Sequence, residues 1–300
     1  MAPQRPRVHT DHRSAGPRTA RGRNLRRTPV TTDDTILVDR LPVDEHGSLL
    51  GLVTLNRPKE MNPLDWDTGR RLGRIFDELA ADSAVRVIAV TGAGRAFSAG
   101  GDMKKYQELQ RDPQDFPQFL ADLHEVFSRI SQQPKPVIAL VNGIAVAGGI
   151  ELILSCDLAI AAESAQIGDA HLPFGQMGGG GVLTLLPRAV GPARARELVL
   201  SGRLLPSAEA LDWGLVSKVV PDDELVDAGI AFAKEVAKKS PLAVANAKSV
   251  LNTAFWEGTG IPAGMRLERE VTGRYCLTSD DAPEGLRAFA EKRRPAFTGR

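Results

Sequence analysis

Apolar residues along this chain fall into two alternating kinds of run. Residues 85–91 and 136–141 are almost unbroken apolar stretches, as expected for strands buried on both faces. Residues 36–41, 51–55 and 158–162 read as further strands, the first two joined through the turn-rich Asp44-Glu45-His46-Gly47. Between them lie stretches of helical period. Over residues 64–80 the apolar positions are Leu64, Leu72, Ile75, Phe76 and Leu79, and Asn62-Pro63 suits a helix start. Residues 119–130 repeat that pattern, and residues 148–155 open a helix directly after a run of small residues. The alternation predicts an α/β fold, a mainly parallel sheet with helices packed around it.

From Pro192 onward helices dominate, at 193–200, 207–213, 222–239, 241–255, 265–277 and 282–293, with one short strand at 215–220. The expected organisation is a core at 34–191 followed by a helical C-terminal subdomain at 192–300.

Composition narrows this picture. At 300 residues and 42% hydrophobic, the chain can bury a full core. A formal net charge of +1 gives no reason to expect a nucleic-acid partner. The even balance hides a local bias, with eight arginines against the single acid Asp11 over residues 1–29. That stretch lacks the apolar residues of a signal-peptide core, a membrane span or a packed domain. It reads as a disordered basic tail over residues 1–33, with an Arg-rich targeting peptide as the alternative. Cys156 and Cys276 are far apart and without metal-ligand spacing. They are expected to be buried, reduced thiols of a cytoplasmic protein that touches no membrane.

Two segments share one design: a buried strand, then small residues, then a helix. The first runs through Thr91-Gly92-Ala93-Gly94-Arg95-Ala96-Phe97-Ser98-Ala99-Gly100-Gly101-Asp102, the second through Asn142-Gly143-Ile144-Ala145-Val146-Ala147-Gly148-Gly149-Ile150-Glu151. Small residues let a ligand approach the backbone, and a helix beginning at Gly148 aims unpaired N–H groups at it. Two N–H groups from different turns converging on one oxygen make an oxyanion hole. The same glycines also suit plain tight turns and close helix packing. No dinucleotide fingerprint or phosphate-binding Gly-Lys-Ser/Thr loop occurs.

These motifs, with Leu55-Asn56-Arg57-Pro58, Lys135-Pro136-Val137-Ile138-Ala139, Arg188-Ala189-Val190-Gly191, Gly214-Leu215-Val216 and the terminal Phe289-Ala290-Glu291-Lys292-Arg293-Arg294-Pro295, resemble the crotonase superfamily, the enoyl-CoA hydratase/isomerase family. The resemblance runs from about residue 34 to the C-terminus. It implies a crotonase-like spiral of ββα units with a helical C-terminal part that trimerises, often into hexamers. It also implies an acyl-CoA thioester substrate whose carbonyl rests on two backbone N–H groups, with coenzyme A part of the substrate and no separate cofactor or metal. Carried over by motif, the donors are Ala99 and Gly148, the substrate loop is Ala99, Gly100, Gly101 and Asp102, and Arg57 and Lys59 are candidate phosphate contacts.

An oxyanion hole moves no proton, so the chemistry needs a base near the acyl carbons. Glu151 lies three residues after Gly148 on the expected helix, among Ile150, Leu152 and Ile153, where desolvation would raise its pKa into a useful range. Hydratases of the resembled family hold a water between two glutamates. Here the second position falls on His171, in Gly168-Asp169-Ala170-His171-Leu172-Pro173. An imidazole there can give or take a proton near neutral pH. Gln176-Met177-Gly178-Gly179-Gly180-Gly181 resembles the family's glycine-rich helix start beside the acyl pocket. The expected activity is enoyl-CoA hydration or a double-bond shift. Another enolate reaction (decarboxylation, thioester hydrolysis or C–C cleavage) and non-catalytic acyl-CoA binding are the competing readings.

Overall fold

The computed structural model describes residues 35–300. The expected tail lies outside the described residues.

Six strands form the larger sheet. β1 (Ile36–Pro42) and β2 (Leu49–Leu55) make an antiparallel hairpin on one edge. β3 (Val85–Gly92) then runs parallel to β2. The short β4 (Ala96–Ser98) leaves this sheet and starts a second one. β5 (Val137–Val141) returns to the larger sheet, and β6 (Ile144–Val146) steps out again to pair with β4. β7 (Leu158–Ala162) and β8 (Gln166–Gly168) repeat the step a third time. Each pair leads into helical structure, so the chain winds as a spiral of ββα units. The first five strands of the larger sheet run in the order β1-β2-β3-β5-β7, and the first three of the four-stranded smaller sheet in the order β4-β6-β8.

Alternation along the strands explains why the central runs are apolar throughout. In β5, Val137, Ala139 and Val141 face one core while Ile138 and Leu140 face the other. In β3, Ile88 and Val90 pack on the first side and Val87 and Ala89 on the second. Helix α1 (Trp66–Ala81) begins two residues later than the apolar period suggests, because Asp65 caps it by accepting the Thr68 N–H at 2.8 Å. The short α2 (Met103–Leu109) is capped by Asp102 and has no buried residue, which is why no apolar period announces it. Helix α3 (Asp115–Gln132) extends the expected 119–130, and α4 (Gly148–Ser155) starts at the expected glycine. The glycine run 178–181 precedes α5 (Val182–Val190).

Beyond residue 191 come α6 (Pro192–Ser201), β9 (Leu205–Pro206), α7 (Ser207–Asp212), β10 (Lys218–Val220), α8 (Leu225–Ala237), α9 (Pro241–Trp256), α10 (Ile261–Thr278) and α11 (Asp281–Ala290). The sheets do not stop at residue 191: β10 adds to β7 in parallel and β9 adds to β8 antiparallel. Helix α8 seals the second core against the larger sheet. Helix α9 is clasped to the body by Lys248, whose Nζ donates to Asp157 Oδ2 at 2.7 Å and to the Lys135 carbonyl at 2.9 Å. Helix α10 buries none of its residues. Cys276 therefore lies exposed, not buried as expected, and Cys156 is partly buried; both are free thiols. Among the described residues no helix is long and apolar enough to cross a membrane.

Candidate active site

The smaller sheet sets the site. Ser98 pairs with Ala145, and Val146 pairs with Gly168, so the three parallel strands β4, β6 and β8 end side by side. The chain segments that follow them carry Ala99–Asp102, Ala147–Glu151 and Asp169–His171. Ligand sites at the C-terminal ends of parallel strands are a general consequence of this geometry. Three successive turns of the spiral thus deliver three groups to one cleft of about 600 Å³.

The first two turns touch. Gly100 sits at φ +85°, and a Cβ there would lie 2.6 Å from Ala147 Cβ and 2.9 Å from the Gly148 nitrogen. Only glycine allows that approach. The Gly100 carbonyl accepts the Leu64 N–H at 2.7 Å, which fixes the loop from its other side.

The backbone N–H of Ala99 is not available to a ligand. It donates to the Met61 carbonyl at 2.9 Å. Met61 (φ 62°) and Asn62 (φ 56°) are both left-handed and turn the chain so that this carbonyl meets β4. Buried Asn62 holds the turn, donating to the Ala96 carbonyl at 2.7 Å and accepting the Arg57 N–H at 2.9 Å. The next cleft-lining residue of the same loop is Gly101, whose N–H has no hydrogen-bond partner among the described residues. Gly148, as first residue of α4, likewise has an unpartnered N–H and lines the cleft. The N–H groups left unpartnered at the cleft are therefore those of Gly101 and Gly148, and that of the expected Ala99 is not among them because it is already used within the fold.

Glu151 lies on α4 and is 2% exposed. Its Oε1 accepts the Gly180 N–H at 2.8 Å and the Val182 N–H at 3.4 Å. Burial raises its pKa above the usual carboxylate range, against the lowering pull of the His171 charge and these two N–H groups. His171 hydrogen-bonds through Nδ1 to Asp169 Oδ1 at 2.7 Å. Burial works against its imidazolium, but the Asp169 hydrogen bond and the Asp169 and Glu151 charges prevail and raise its pKa. A Cβ on Gly178 would lie 3.1 Å from Glu151 Oε1 and 3.4 Å from His171 Cε1. It would first meet Val182 Cγ1, at 2.2 Å, so the Gly178 backbone packs on Val182 and lies beside both the carboxylate and the imidazole, which line the same cleft.

Arg57 and Asp102 line the cleft mouth, but Arg57 is held inside the fold. Its guanidinium reaches Asp65 Oδ2 at 2.9 Å and Asp102 Oδ2 at 3.0 Å, tying together the caps of α1 and α2. Lys59 is exposed and lies outside the cleft lining. Lys104 does line the cleft. Tyr106, unremarked in the sequence, also lines the cleft. Burial first, and then the Glu151 charge, raise its phenol pKa and keep the hydroxyl protonated. Its position one helical turn after Asp102 was the available signal. Phe119, Leu120 and Leu123 of α3 make the cleft's apolar wall.

A family model described as enoyl-CoA hydratase/isomerase matches residues 45–300. The chain belongs to the enoyl-CoA hydratase/isomerase family. A probable enoyl-CoA hydratase of Rhizobium meliloti is 37% identical over 263 residues, covering 87% of this chain and 99% of the relative. A carnitinyl-CoA dehydratase of Escherichia coli is 38% identical over 266 residues, covering 87% and 99%. Among solved structures of the family, an enoyl-CoA hydratase from Bacillus anthracis superimposes with a TM-score of 0.80 at 32% identity, covering 88% of this chain and 99% of that one. The ββα spiral and C-terminal helices are therefore the fold of this enoyl-CoA hydratase/isomerase family member.

Proposed function

We propose that this chain is an acyl-CoA enzyme of the enoyl-CoA hydratase type, adding water across an α,β-double bond. The observation that carries the reading is the pair of unpartnered N–H groups, Gly101 and Gly148, opening on the same cleft as Glu151 and His171. A thioester carbonyl on that pair is polarised, and the enolate formed when water attacks the β carbon is stabilised as its charge develops. Glu151 takes the proton of the attacking water, and His171, lining the same cleft, assists with the proton at the α carbon. The apolar wall of α3 receives the acyl chain. Lys104, which lines the cleft where Lys59 does not, is the cation assigned here to the CoA phosphates, and Arg57 shapes the loop through its two carboxylates. A hydratase and a dehydratase among the relatives favour water chemistry over decarboxylation or thioester hydrolysis.

The functional unit is a homo-oligomer, a trimer or a dimer of trimers, joined through the C-terminal helices. Supporting this, α10 and α11 expose Ile261 (79%), Leu277 (87%), Leu286 (76%) and Phe289 (85%), more apolar surface than a monomer leaves uncovered without cause.

Crotonyl-CoA tests the activity. Loss of the conjugated-enoyl absorbance is expected, abolished by Glu151→Gln. Gly148→Pro removes one donor at the first helical position and should cost about 10²–10³-fold in kcat. Full activity of Gly148→Pro refutes the donor role. Turnover of other acyl-CoAs to free thiol or CO₂, with none of crotonyl-CoA, refutes hydration.

A further inference from the structure

We propose that Asp169 is a positioning residue for His171, holding the ring by Nδ1 so that a protonated Nε2 faces the cleft and His171 serves as the acid. The inference rests on the hydratase reading of the same cleft and adds a third member to its proton machinery.

The geometry carries it. Asp169 is 1% exposed, directly after β8, and its carbonyl accepts the Ala147 N–H at 2.8 Å. The carboxylate is thereby anchored to the turn that presents Gly148. Ala170 sits at φ +51°, a conformation alanine rarely adopts. That reversal folds the side chains of Asp169 and His171 back onto one another, two residues apart, into the 2.7 Å hydrogen bond. The backbone on the far side of the ring is held as well: the His171 carbonyl accepts the Phe174 N–H at 3.0 Å and the Gln176 N–H at 3.2 Å. Strained, buried and doubly anchored backbone beside a cleft is where function offsets a local cost.

An ionised carboxylate only accepts, so the Nδ1 facing Asp169 must carry a proton. Nε2 is then the nitrogen left to work in the cleft that His171 and Glu151 both line. The charged groups acting on the ring are Asp169 beside it and Glu151 from α4, and the neutral Tyr106 hydroxyl from α2 lines the same cleft. Arg57, Glu60, Asp102 and Lys104 also line the cleft. Two carboxylates around one imidazole favour the imidazolium.

The proton balance closes. Glu151 receives one water proton as the oxygen bonds the β carbon and the π electrons move onto the thioester oxygen. The enolate then takes the Nε2 proton at the α carbon. Passing the Glu151 proton to the neutral ring through the cleft both groups line restores them, and one water has been added.

The test uses the full chain and Asp169→Asn. Crotonyl-CoA kinetics should show kcat lower by about 10²-fold, the range of a positioned acid, with KM little changed. The alkaline limb of the kcat profile should move to lower pH, since a neutral amide no longer supports the imidazolium. In a His171→Gln background the same change should cost nothing further. Nitrogen-15 NMR of wild-type His171 needs no substrate or variant: it should show an Nδ1 proton at all pH and a titration above the ordinary histidine value of about 6.5. A ring protonated at Nε2 when neutral, a titration at or below that value, or an unmoved alkaline limb in Asp169→Asn overturns the proposal. Failure of the wild-type enzyme to hydrate any enoyl-CoA, with the NMR result as expected, instead overturns the hydratase reading.

Discussion

Gly180 donates its N–H to Glu151 Oε1 at 2.8 Å and leaves the space in front of that carboxylate empty. Replacing it with alanine is therefore a steric probe of where Glu151 must stand. A Cβ there would lie 2.6 Å from Glu151 Oε2 and 2.7 Å from Phe127 Cε2. Ordinary contact begins near 3.4 Å, so the carboxylate must retreat by about 0.8 Å or the ring must move. Phe127 is 2% exposed within the first core and has little room to yield. Gly180 is not among the positive-φ residues, so alanine brings no backbone strain and the clash is the whole perturbation. A displacement approaching 1 Å in a catalytic group costs on the order of 10²-fold in rate. Overpacking a buried site costs about 1–3 kcal/mol in stability. We expect Gly180→Ala to lose about 10²-fold in kcat/KM for crotonyl-CoA hydration while remaining folded, with a modest drop in Tm. Gly179→Ala is the matched control. Its Cβ meets only the Leu120 side chain, 2.9 Å from Cδ2, so crotonyl-CoA turnover should hold while longer acyl chains suffer. Gly180→Ala with kcat/KM within about twofold of wild type would refute the reasoning, because Glu151 would then tolerate displacement from its observed place.

Burial raises the Glu151 pKa, so ionising it opposes folding: its contribution to stability is intact below about pH 4.5 and is lost as pH rises through the raised folded value. Glu151→Gln should therefore gain thermal stability relative to wild type as pH increases while losing activity; melting curves at pH 4 and pH 8 with no widening difference contradict this. Lys248 is 7% exposed and answers Asp157, whose side chain is 21% exposed, so Lys248→Ala should destabilise by about 1–3 kcal/mol and release α9, read by denaturant unfolding. A loss below about 1 kcal/mol would mean that the pair is already solvated. Leu277→Glu places a charge on the exposed face of α10 and should shift the oligomer toward monomer in light scattering; an unchanged mass removes α10 from the interface.

The strand–helix alternation was legible in the sequence wherever an element buries its own periodic face. The unbroken apolar runs of β3 and β5, the helical spacing in α1 and α3 and the glycine start of α4 are local patterns, and the structure reproduces each within a few residues. The family was legible too, because its motifs are contiguous. The three-residue strands β4, β6 and β8 were not, since a strand that short has no period to detect. Yet their side-by-side ends bring the three site turns into one cleft. Nor does the motif around Ala99 show which N–H is free: that depends on the Met61 carbonyl, which arrives from a distant loop. Arg57 reads as a phosphate contact until Asp65 and Asp102 are seen to claim it. Asp169 and His171 stand two residues apart in the sequence, but their bond follows from the left-handed turn at Ala170. The sequence by itself determined the elements and the residue types available for chemistry, because local burial and contiguous motifs carry that information. Which donors stay unpaired, which charges are already matched and which side chains share a space were decided only by tertiary structure, because each depends on a partner brought in from elsewhere in the fold.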